Sequence, residues 1–166
     1  MKPALVRLEL LPTYEQLASI EHQVELFKDW CEWLDENAPQ GMCRFKDLYD
    51  WAYHKIRERG IYSQFIGRII GKVSSKRTMG TEINCRSILY DQRMFTFIDS
   101  KLSMRLGGKK QIVDYKLACS ENMAQMVGST VVKSGLLTIG DNSRTFFTLR
   151  CLQPEEFKYK GKRPKK

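Results

Sequence analysis

The spacing of apolar residues changes period twice along this chain, and that change constrains its fold more than any single motif. Residues 4–10, ALVRLEL, alternate apolar and charged positions and predict one strand. From Pro12 to residue 79 the apolar residues recur every three or four positions, as on a helix face. From Ile83 onward they fall into short runs of β-formers: INCRSILY, MFTFID, KLSMRL and QIVDYKL, separated by Asp91-Gln92, Ser100 and Gly107-Gly108-Lys109. TVVKSGLLTI and RTFFTLRCLQ follow, joined by the turn residues Gly140-Asp141-Asn142-Ser143, and a short helix over Ser120 to Val127 is expected before them. One strand, a helical block and then a run of strands predict an α+β chain. Its expected form is a small antiparallel β-barrel, oligonucleotide-binding-like, with a helical insert after the first strand.

Within the helical block, Thr13 reads as an N-cap with Gln16 completing a capping box. The helix it opens carries Leu17, Ile20, Val24, Phe27, Cys31 and Leu34 on one face and carboxylates on the other. Trp30 and Trp33 read as packing residues. Ala38-Pro39-Gln40-Gly41 ends this helix, and a second is expected over Phe45 to Arg59, with Leu48, Trp51, Ala52 and Ile56 at core spacing and Gly60 as its stop.

The third helical segment, GIYSQFIGRIIGKVSSKRTM, has three stripes. Phe65, Ile66, Ile69, Ile70 and Val73 form a buried face. Ser63, Gly67 and Gly71 form a row of small residues, and Gln64, Arg68, Lys72 and Lys76 a polar and cationic row beside it. Each glycine inside a helix costs about 0.8–1 kcal/mol relative to alanine, so two in one row imply close approach of something to the backbone. Either another helix or a ligand fits that requirement. The helix-turn-helix outline of the two segments, common to any helical hairpin, admits nucleic acid as the ligand.

Charge supports that second choice. The 166 residues carry a formal net charge of +9, but residues 1–60 hold 8 basic and 11 acidic side chains, while 61–90 hold 5 and 1. Residues 91–117 hold 6 and 3, and 158–166 hold 6 and 0. Concentrating the positive charge in the third helix, the strands after it and the tail favours a polyanionic partner. The five cysteines are scattered without a CxxC pair and read as reduced thiols. With two histidines there is no metal-ligand spacing, and no GxxxxGK[ST], GxSxG or HExxH string occurs. Asp91 and Asp141 read as turn formers. The N-terminal run is interrupted by Arg7 and Glu9, which excludes a signal peptide or membrane span there. The expectation is a binding module of the cytoplasm, with no cofactor of its own and no membrane partner.

The start VRLELLPTYEQ, the hairpin FKDLYDWAYHKIRERGIYSQFIGRIIGKV and the run RSILYDQRMFTF to LSMRLGGKKQIVDYKL resemble the N-terminal part of TnpB. TnpB is the transposon-encoded RNA-guided nuclease related to the type V CRISPR effectors. The resemblance spans roughly residues 5–152 and implies a wedge domain over residues 1–11 and 80–153, a helical recognition insert over 12–79 and a basic tail over 154–166. It implies a guide RNA and double-stranded DNA as partners, with insert and wedge reading a short motif beside the target while base pairing reads the rest. By position, Phe45, Tyr49, Tyr62, Ser63, Gln64, Gly67, Arg68, Arg86 and Ser87 would face that duplex. Gln64 suits adenine edges and Arg68 guanine edges or phosphate; Lys72, Lys76, Arg77, Lys109 and Lys110 would contact phosphates. The RuvC-like nuclease part, with its magnesium-binding carboxylates, has no counterpart here. The chain is accordingly expected to be a fragment, the non-catalytic half of a split nuclease completed by a RuvC-containing protein, or a remnant acting as a helix-turn-helix-like repressor.

Overall fold

A computed structural model describes residues 4–83, 86–117 and 131–152. The elements run β1 (Ala4–Leu11), α1 (Tyr14–Asn37), α2 (Phe45–Arg57), α3 (Ser63–Met79), β2 (Ser87–Tyr90), β3 (Phe95–Ile98), β4 (Lys101–Leu106), β5 (Lys109–Leu117), β6 (Val131–Ile139) and β7 (Thr145–Leu152). The class is therefore mixed α+β, with the three helices following the first strand in the chain. The expected helix over 120–127 and the basic tail lie outside the described residues.

The seven strands form one nearly closed antiparallel barrel in the order β2-β6-β7-β1-β5-β4-β3. β1 sits centrally, pairing Val6 with Leu149 of β7 and Leu10 with Tyr115 of β5. Alternation does what the sequence pattern requires: Val6, Leu8 and Leu10 are buried, whereas Leu5 and Arg7 face outward. The ends of the strand order are drawn together by the Tyr90 hydroxyl of β2, which donates to the Arg105 carbonyl of β4 at 2.9 Å. Phe147 fills the interior, edge-on to Phe95 and Tyr90 at centroid distances of 5.0 and 5.6 Å.

On the outer face Glu9 ties three strands together. From β1 its carboxylate accepts from Lys116 Nζ of β5 at 3.2 Å and from Arg144 Nε, just before β7, at 2.9 Å. Arg144 foremost, with Lys116, holds the Glu9 carboxyl below its ordinary value against the opposing effect of burial. Beside it the Arg7 guanidinium lies 3.7 Å over the Phe146 ring.

The chain divides into two compact units, one of residues through Ser19 together with those from Leu89 on, the other Ile20–Ile88. The division falls inside α1 and not at its start. The first turn of α1 belongs with the strands because Gln16 Nε2 donates to the Ile112 carbonyl of β5 at 2.8 Å. The same glutamine forms the capping box: Thr13 N–H donates to Gln16 Oε1 at 3.1 Å and Gln16 N–H to Thr13 Oγ1 at 3.2 Å.

In the helical unit, α1 buries Ile20, Val24, Phe27, Cys31 and Leu34, and α3 buries all five residues of its apolar stripe. α2 ends at Arg57, two residues short of expectation, because the chain turns through Glu58 and Arg59 to Gly60 at φ +83°. Gly80, at φ +71°, caps α3 through its N–H to the Lys76 carbonyl. Cys31, Cys43 and Cys151 form no disulfide. Among the described residues no helix is long and apolar enough to cross a membrane, and no group of metal-ligating side chains comes together.

Candidate nucleic-acid interface

α3 folds back along α2. Ser74 Oγ donates to the Cys43 carbonyl at 2.8 Å, and the position a Cβ would take on Gly71 lies 3.9 Å from Cε2 of Phe45. Since both helices rise about 1.5 Å per residue, the row Phe45, Tyr49, Tyr53 of α2 and the row Gly71, Gly67, Ser63 of α3 run side by side in opposite directions. The α2 row is a continuous stack: Phe45 and Tyr49 rings lie 6.0 Å apart at 28°, and Tyr49 and Tyr53 rings 4.8 Å apart at 24°. Phe45 and Tyr49 are 46% and 36% exposed, so the stack faces outward.

The small-residue row is open. A Cβ on Gly67 would meet nothing within 4 Å, and one on Gly71 would make only an ordinary contact with Phe45. Among the described residues no helix packs on Gly67 closely enough to account for it. Gln64 and Lys72 flank this opening half-buried, and neither bonds to another described residue; Arg68 lies between them, half-buried. At the start of α3, Ser63 is exposed, Tyr62 packs its ring 5.4 Å from that of Phe65, and the first turn has neither an acidic residue nor a capping side chain. The partial positive charge of that helix end is left uncompensated by side chains.

Two residues expected to bind phosphate have partners within the helical unit. Arg77 and Lys76 both pair with Asp35 of α1, Arg77 Nε reaching Oδ1 at 3.0 Å and Lys76 Nζ reaching Oδ2. Arg77 is 10% exposed and spends its remaining N–H groups on backbone carbonyls. Lys76, the last of the cationic row, is thus held by Asp35. Arg86 is exposed just before β2 and Ser87 opens that strand, both in the helical unit. Lys109 and Lys110 are exposed where β5 begins, in the other unit.

The structure adds Tyr53, which the motif reading missed although its i, i+4, i+8 spacing from Phe45 and Tyr49 is visible in the sequence. The site as built holds stacked aromatic rings, an accessible stretch of helix backbone, one amide side chain and cations. That set can stack on bases, bond base edges and neutralise phosphates. No protein-family model matches the chain, and no curated protein matches it.

Proposed function

We propose that this chain is the nucleic-acid-binding module of an RNA-guided DNA endonuclease system, binding guide RNA and recognising a short target-adjacent DNA motif. It carries no catalysis of its own and is completed by a separate RuvC-bearing part that would hold magnesium. In this reading the barrel is an oligonucleotide-binding-like wedge and the α2–α3 hairpin its recognition insert. The observation that carries the proposal is the open glycine row of α3, lined by Gln64, Arg68 and Lys72 on one side and by the α2 aromatic stack on the other. Glycine inside a helix is unfavourable, and no atom of the described residues packs where the Gly67 side chain would be. A duplex backbone or base edge approaching that row would supply the reason for it. Gln64 can then bond a base edge, while Lys72 contacts phosphate without reading sequence.

A second reading draws on the same hairpin: a transposon-derived repressor that binds duplex DNA in the manner of a helix-turn-helix, without RNA. Purifying the chain from cells carrying its native genomic neighbourhood separates the two. Recovery of one defined RNA and a RuvC-bearing protein supports the first; a chain clean of RNA that binds duplex with strong salt dependence supports the second. Under either reading Gln64→Ala abolishes base preference while leaving the melting temperature unchanged. A variant with unaltered preference sinks the α3 site.

A further inference from the structure

The helical unit has a second surface feature, of opposite charge. A groove of about 580 Å³ is lined by Pro39, Gly41, Met42, Asp47, Asp50 and Trp51, so the α1–α2 link forms one wall and the first turns of α2 the other. Its apolar part is the half-buried Trp51 indole, packed 5.8 Å from Trp33, together with Met42 and Pro39. Asp47 and Asp50 stand three residues apart on one face of α2. Both are exposed, and neither pairs with another described residue. The Lys55 ammonium lies 4.5 Å over the Trp51 ring and donates to the Trp51 carbonyl at 2.9 Å.

An apolar wall with a carboxylate rim selects its occupant. Phosphate is repelled by Asp47 and Asp50, and a purely apolar segment would bury both carboxylates unpaired. A lysine or arginine side chain satisfies both parts, its aliphatic stem on apolar surface and its charged head among carboxylates. We propose that this groove docks an extended lysine- and arginine-rich segment of a partner protein, stems lying on Trp51 and Met42 and cationic heads bonding Asp47 and Asp50. The proposal is independent of the α3 site, which reads the opposite charge, so either can fail alone.

The probe is the peptide KYKGKRPKK, the sequence of this chain's residues 158–166, titrated into the full chain at low salt while tryptophan emission and heat are followed. Saturable one-to-one binding is expected, absent for the same peptide with glutamine at every basic position. The variant carrying Asp47→Asn and Asp50→Asn is expected to bind about tenfold more weakly, with an unchanged melting temperature because both positions are exposed. Equal binding by that variant, or no saturable binding, overturns the proposal. One further variant identifies a different occupant: if replacing Lys158, Lys160, Lys162, Arg163, Lys165 and Lys166 by glutamine tightens peptide binding about tenfold, the chain's own tail fills the groove and the partner is overturned.

Discussion

Arg77 holds the C-terminal end of α1 through Asp35. Its Nε donates to Asp35 Oδ1 at 3.0 Å and its Nη2 to the Asp35 carbonyl at 2.6 Å and the Ala38 carbonyl at 3.2 Å. Nη1 reaches the carbonyls of Pro39 and Met42 at 2.7 and 2.8 Å. All five donors of the guanidinium are thus matched, and carbonyls that the end of a helix leaves without partners are satisfied by one side chain. α1, the link to α2 and the last turn of α3 are fixed together at this point.

Arg77→Lys therefore fails to substitute. An ammonium has three donors and no fork, so it keeps the charge but abandons several carbonyls in a half-buried site. The expected loss is about 2–4 kcal/mol of unfolding free energy, measured by denaturant titration with circular dichroism. A loss under about 0.5 kcal/mol would mean that water replaces these bonds readily.

The same cluster makes the helical unit acid-sensitive. The Lys76 ammonium foremost, with Arg77, holds the Asp35 carboxyl below its ordinary value against the opposing effect of burial. A carboxyl lowered in the folded state contributes stability that is fully present above its unfolded value of about 3.9 and is lost as pH falls through its folded value. Asp35→Asn should therefore remove part of the acid-induced drop in melting temperature below about pH 4, while lowering stability at neutral pH. Parallel melting curves for both proteins across that range would disprove the linkage.

Gly67→Ala should separate stability from binding. The new methyl meets no protein atom, and alanine is favoured over glycine in a helix by about 0.8–1 kcal/mol, so the variant should melt higher. If nucleic acid approaches the backbone at this row, affinity for the target-adjacent duplex should fall about tenfold or more in the more stable protein. Filter binding beside a thermal melt checks both halves, and a stabilised variant with intact affinity removes the reason offered for the glycine.

Gly135→Ala should act in the opposite direction. The position of a Cβ on Gly135 of β6 coincides with the ring of Phe147 on the neighbouring β7, and that ring is itself held between Phe95 and Tyr90. Displacing it into a packed barrel interior should cost about 1–3 kcal/mol. The double variant Gly135→Ala, Phe147→Leu is the check: it should recover part of the loss in a denaturant titration, and failure to do so would place the strain in the β6 backbone.

Much of the fold was legible because it is local. The Thr13–Gln16 capping box, the alternation in β1, the buried stripe of α3 and the turn residues between the strands each depend on neighbours a few positions away, and each lies where periodicity put it. The α2 aromatic row was equally local, yet Tyr53 was passed over because Phe45 and Tyr49 were placed by the resemblance and not by their four-residue spacing. The small-residue row could be read two ways from sequence, since a packed helix and a ligand impose the same need for glycine.

The tertiary structure decided what depends on residues distant in the chain. Lys76 continues the spacing of Gln64, Arg68 and Lys72, so the sequence assigns it and Arg77 to phosphate; Asp35, about forty positions earlier, captures both once α1 and α3 pack together. The start of α1 likewise bonds to the strands through the carbonyl that Ile112, distant in sequence, presents to Gln16. What the sequence determined by itself was the kind of each described helix and the buried faces of β1, α1 and α3, since a period of 2 or 3.6 sorts side chains by face without reference to any partner. Which charges stay available for a ligand, and whether the glycine row lies open, were decided by packing, because a side chain's partner is set by what the fold brings beside it.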